Sequence, residues 1–133
     1  MPVDLRENWP ECLTASGFEP ARVSAWIAEG LLVYLSAGEA ASLLVAIGEL
    51  SAPESRLSFD HDLPDEASAL RQAREMDGMA EVAAMWQGGL TEHPGRWLDE
   101  HGWNAEWVER TALADRYGRS LPPAGAFFTG VRR

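Results

Sequence analysis

A chain of 133 residues, 46% hydrophobic and 24% charged, carries enough apolar material for one compact domain with a real core, and its six Trp, four Phe and two Tyr argue against disorder. The formal net charge of −10 would repel a phosphate backbone, and no local cluster of basic residues makes an exception, so nucleic acid is excluded as a partner. All eleven basic residues are Arg, a bias that fits GC-rich codons and rules out Schiff-base lysine chemistry.

The single cysteine, Cys12, cannot form an internal disulfide. With no leading apolar segment and no 18-residue apolar run, the sequence predicts a cytoplasmic protein that does not enter a membrane. Cys12 itself falls on a predicted helix and reads as a buried structural thiol rather than a nucleophile.

In chain order, Pro2–Arg6 reads as a short extended remnant that runs into a helical stretch ending at Gly17. Val23–Leu35 is a near-continuous apolar run with β-branched and aromatic members, the pattern of a strand buried on both faces, and it places the single charge Glu29 near a buried element. Ser36-Ala37-Gly38-Glu39 has the form of a capping box, followed by apolar residues at helical spacing, which predicts a helix over about residues 37–50. Arg56–Asp60 reads as a strand, and Pro64-Asp65-Glu66 as the start of a further helix.

Met79–Gln87 looks like a short helix, and Pro94–His101 like another with Gly102 just past its end. Trp103–Arg110 alternates as a strand, Thr111 can cap a short helix ending at Gly118, and Ala126–Arg132 makes the last strand. The alternation of strands and helices predicts an α/β fold in a single domain spanning residues 1–133, with helices on both faces of a largely parallel sheet. Trp26, Trp97 and Trp103 fall at apolar positions of these elements and read as core. His93 and His101 flank a helix with a charged surface and read as solvated.

Asp60-His61-Asp62 follows the second strand, at the edge where a ligand would lie. Asp60 and His61 are candidates to contact an acid or hydroxyl substrate, although alternation sends neighbouring side chains to opposite sides, which disfavours a metal site, and Asp62 suits a helix cap. No Ser-His-Asp arrangement, G-x-S-x-G elbow or H-E-x-x-H helix is present, so no catalytic residue can be named.

Two separated motifs, Val3-Asp4-Leu5-Arg6 with Trp9 and Ala25–Leu35 (AWIAEGLLVYL), together resemble the leucine carboxyl methyltransferase-like family, in particular its actinobacterial S-adenosylmethionine-dependent methyltransferases. The resemblance continues through Leu50–Leu57 and Trp97–Trp103 into the tail. It implies a partial Rossmann-like methyltransferase sheet, the C-terminal half of the family fold, with strands 4, 5, 7 and 6 of the order 3-2-1-4-5-7-6 and the last strand antiparallel. It also implies S-adenosyl-L-methionine as cofactor: Asp4 and Leu5 would hold the adenine, and Glu29 would meet the amino-acid end.

Read from the residues alone, Asp4 could simply be a solvent-exposed acid or a helix cap, and Glu29 could pair with Arg22 or stand at an exposed strand end. Family members also carry a glycine-rich turn and a ribose-binding acid upstream, and no G-x-G-x-x-G motif occurs in this chain. The reading is therefore an O-methyltransferase acting on a small-molecule acceptor, or a remnant of one without the glycine-rich motif. The alternative is a non-catalytic interaction module whose bared sheet edge recruits another chain, as a homodimer or with a complementing N-terminal half.

Overall fold

The computed structural model describes residues 2–63, 78, 80–120 and 125–133. Its elements are α1 (Trp9–Ala15), β1 (Ala25–Ala28), a 3-10 turn (Leu32–Tyr34), α2 (Ala37–Glu49), β2 (Arg56–His61), α3 (Ala80–Ala83), α4 (Pro94–Glu100), β3 (Trp103–Glu109), α5 (Arg110–Arg116) and β4 (Ala126–Arg132). The four strands form one sheet in the order β1-β2-β4-β3, with β1 parallel to β2 and β4 antiparallel to both of its neighbours. This is the order and direction that the resemblance implies.

Period-two alternation sorts the sheet into two faces. Trp26 and Ala28 on β1, Leu57 and Phe59 on β2, Phe128 on β4 and Trp103 on β3 share one face by register. They join Leu43, Leu44 and Ile47 of α2 and Trp97 and Leu98 of α4 in a single core. On the other face, α5 brings Leu113 and Ala114 to Phe127.

The helix that packs this core is the one its sequence announces. Ser36 accepts the Glu39 backbone N–H, and the Glu39 carboxylate accepts the Ser36 N–H at 2.8 Å, so the capping box is complete. Ser36 as donor also holds the Glu39 carboxyl below its ordinary range. At the other end Ser51 Oγ receives the Trp26 indole N–H at 2.9 Å, which ties α2 to β1.

Several expectations fail, each for a local reason. The apolar run 23–35 is not one strand, because Gly30 takes a φ of +61° in the left-handed region and turns the chain; beyond it Leu32 and Leu35 reach the core from the 3-10 turn. Nor is β1 buried on both faces, since Ile27 is 80% exposed at the edge of the sheet and Glu29 is exposed in the turn. Cys12 lies on the outer side of α1, exposed rather than buried. The segment 2–6 forms a turn instead of a strand, closed by the Glu7 N–H on the Asp4 carbonyl.

The cap of α5 is Glu109, two residues before Thr111. His93 and His101 are not simply solvated: His93 meets the Trp107 ring edge-on and His101 stacks on Trp97 with centroids 3.7 Å apart. The helix predicted from Pro64 onward, and any cap that Asp62 gives it, lie outside the described residues. No helix among the described residues is long and apolar enough to cross a membrane.

Candidate functional site

In a sheet of this kind, side chains that follow the carboxyl ends of parallel strands converge on a crevice. Here that crevice is a cavity of about 730 Å³ lined by Glu29, Asp60, Arg110, Leu113, Ala114, Tyr117, Arg119 and Phe127. Glu29 leaves the end of β1, Asp60 comes from the end of β2, Arg110 opens α5, and Phe127 stands near the start of β4. Leu113, Ala114 and Phe127 supply an apolar wall, with charged and phenolic groups around it.

The polar groups are not equivalent. Asp60 accepts the Gly30 backbone N–H at 2.6 Å through Oδ1 and Arg110 Nη2 at 2.7 Å through Oδ2, an ion pair whose side chains are 16% and 30% exposed. Arg110 also lies over the Phe127 ring, 5.4 Å from its centroid. Glu29 is exposed. Arg22, the sequence neighbour that might have paired with it, instead lies 3.6 Å from Glu19.

His61 is not brought to this cavity. As alternation requires, it occupies the face of β2 opposite Asp60, is 7% exposed, and holds Nδ1 2.6 Å from the Asp62 carbonyl. A Cβ on Gly89 would come within 2.6 Å of its Nε2, so the ring is roofed by backbone that only glycine permits.

Asp4 and Leu5 stand elsewhere. Leu5 lines a second cavity, of about 460 Å³, between the N-terminal turn and α2, together with Arg6, Trp9, Gly38 and Glu39. The Asp4 carboxylate is engaged by Arg6, whose backbone N–H and Nε each reach Oδ1 at 2.9 Å while Nη2 reaches Oδ2 at 2.6 Å. The three candidate cofactor residues are thus not gathered in one cavity: Glu29 lines the first and Leu5 the second. Among the described residues no group of three His, Cys, Asp or Glu is arranged to hold a metal.

Hydrogen bonds from the Arg6 side chain, then from its backbone, lower the Asp4 pKa from 3.8 to about 2. The folded value lies below the unfolded one, so the stabilisation from this pair is complete above pH 3.8 and is lost as the pH falls through about 2. We expect NMR titration to place the Asp4 midpoint near 2, and Arg6→Ala to return it toward 3.8. A wild-type midpoint at 3.8 would mean that the pair does not persist in solution.

Arg110, Phe127, Leu113 and Arg119 were not singled out by sequence reasoning. An arginine that opens a short helix carries no local sign that it faces a carboxylate 50 residues earlier in the chain.

Comparison with known proteins shows what this chain is similar to. The family model described as leucine carboxyl methyltransferase matches residues 1–48. A protein of Parafrankia sp. (strain EAN1pec), named "Putative S-adenosyl-L-methionine-dependent methyltransferase Franean1_4929", is 37% identical over 133 residues, which is 98% of this chain and 43% of the relative. A protein of Frankia alni with the same type of name, FRAAL3718, is 41% identical over 91% of this chain and 41% of its own length. Among solved structures, an O-methyltransferase family protein from Burkholderia thailandensis superposes with a TM-score of 0.59 over 99% of this chain and 35% of its own. At 15% identity that likeness shows the fold alone. The chain spans about half the length of the curated relatives it matches; its first 48 residues are similar to the leucine carboxyl methyltransferase family, and nearly all of its length is similar to these relatives.

Proposed function

We propose that this chain is part of an S-adenosyl-L-methionine-dependent O-methyltransferase, carrying one end of the cofactor site and a wall of the acceptor cavity. The observation that carries the reading is Glu29, an exposed carboxylate at the carboxyl end of a parallel strand and on the rim of a cavity of about 730 Å³. Such a group suits the ammonium of the cofactor's amino-acid end. The cofactor supplies an electrophilic methyl on its sulfonium, and the apolar wall of Leu113, Ala114 and Phe127 suits a small acceptor with an apolar body. The task left to the protein is alignment of acceptor oxygen and methyl at short range, with water kept out.

The fit on the adenine side is incomplete. Arg6 already takes three of the acceptor positions of the Asp4 carboxylate, and no glycine-rich turn of the G-x-G-x-x-G type lies in this chain. Calorimetric titration of the chain alone with S-adenosylhomocysteine is therefore expected to give a Kd weaker than about 1 μM, roughly −8 kcal/mol, with Glu29→Gln weaker still. Submicromolar binding would refute the first expectation, and an unchanged Kd in Glu29→Gln would remove Glu29 from the site.

A second reading is favoured by a separate observation: among the described residues β1 has a strand neighbour on one side alone, and its Ile27 is 80% exposed. An uncovered strand of this kind is a template for another chain, whether a second copy or a complementing N-terminal half. On that reading the chain functions as an interaction module.

A further inference from the structure

Asp60 differs from its neighbour in the cavity in having both of its carboxylate oxygens engaged. One takes the Gly30 N–H and the other takes Arg110, so the side chain links the turn after β1 to the first residue of α5. The far end of this link is itself anchored, because the Arg110 backbone N–H reaches the Gly125 carbonyl at 3.1 Å and its guanidinium rests over Phe127. A largely buried carboxylate is costly to maintain unless paired and hydrogen-bonded, and here both requirements are met by segments that meet only in the folded chain. The near end holds Gly30 in its left-handed conformation, directly after Glu29.

We propose that Asp60 is a positioning residue, a strut between Gly30 and Arg110 that fixes Glu29 at the rim of the cavity. It acts as neither a base nor a ligand of the acceptor. This rests on the reading of Glu29 as the cofactor-facing carboxylate. The strut is the reason an exposed acid in a turn can present its charge in one place, since an unsupported turn would spread Glu29 over many positions.

The test uses the whole chain and two readouts. In Asp60→Ala the Gly30 amide should exchange with solvent at least about tenfold faster, while the Phe59 and Phe128 amides in the sheet core stay within about twofold of wild type. By calorimetry with S-adenosylhomocysteine, Asp60→Ala and Glu29→Gln should each weaken binding about tenfold, and the double variant should be no weaker than Glu29→Gln alone, because the first effect passes through the second residue. Unchanged Gly30 exchange would overturn the strut. Additive losses, about a hundredfold in the double variant, would overturn it as well, since Asp60 would then touch the ligand independently. Should wild type show no binding at millimolar ligand, the Glu29 reading fails, and Gly30 exchange alone decides whether the strut exists. Should Asp60→Ala not fold, Asp60→Asn and Arg110→Gln apply the same two readouts with smaller disturbance.

Discussion

Trp103→Ala is expected to cost about 3–5 kcal/mol and to leave the chain largely unfolded at moderate urea concentrations, since small proteins hold only about 5–15 kcal/mol of stability. Trp103 opens β3 with no exposed surface, packed against Gly48 of α2 and, more tightly, Gly130 of β4. A Cβ on Gly48 of α2 would sit 3.6 Å from its Nε1, and a Cβ on Gly130 of β4 would sit 3.2 Å from its ring. The Arg132 guanidinium covers the ring at 5.4 Å and donates to the His101 carbonyl at 2.7 Å, closing the last strand over the indole. Alanine would leave a cavity bounded by backbone on two sides, which cannot collapse to fill it.

Trp103→Phe should be far milder, under about 2 kcal/mol. The indole N–H is buried with no hydrogen-bond partner among the described residues, so its removal offsets part of the lost packing. Urea denaturation followed by circular dichroism separates the two variants. A loss below about 1.5 kcal/mol in Trp103→Ala would show that the site relaxes and that the glycine cradle is not rigid.

Legibility from sequence divides along the same physical line. The capping box at Ser36, the helix from Pro94 and the last strand at Ala126–Arg132 were readable because each is specified by residues within a few positions of one another. The family motifs gave the strand order, which periodicity alone could not. The run 23–35 misled because hydrophobicity dominated a single Gly30, whose left-handed backbone ends the strand whatever its neighbours prefer. In the candidate site, Asp60 was visible as an acid at a strand end and Glu29 as the single charge of an apolar run. Their different environments were not, because the distinction depends on Arg110 and on a backbone N–H delivered by a turn. Nor could the sequence show that Arg6 holds Asp4, since an acid two residues from an arginine pairs with it only in a suitable turn.

The largest effect on assembly is expected at β1. The sheet order leaves one side of this strand without a strand neighbour among the described residues, and Ile27 on it and Val23 just before it are exposed, at 80% and 65%. Relatives about twice as long carry further chain, and the 133 residues by themselves are expected to self-associate through this edge at micromolar concentration. The backbone geometry offers a selective test. The Ser24 carbonyl accepts from the Arg56 N–H at 2.8 Å and so faces β2, which by alternation turns the backbone groups of Ala25 and Ile27 outward. Ile27→Pro therefore removes an outward N–H while leaving the β1–β2 ladder intact, and it deletes the exposed side chain as well. Ile27→Lys keeps the N–H and changes only the side chain. Sedimentation equilibrium should show a dimer or larger species for wild type, a shift toward monomer of about tenfold or more in Kd for Ile27→Pro, and a smaller shift for Ile27→Lys. A stable, cooperatively folded wild-type monomer at micromolar concentration would contradict the expectation and would leave the β1 edge tolerated in water, protected by its four-residue length.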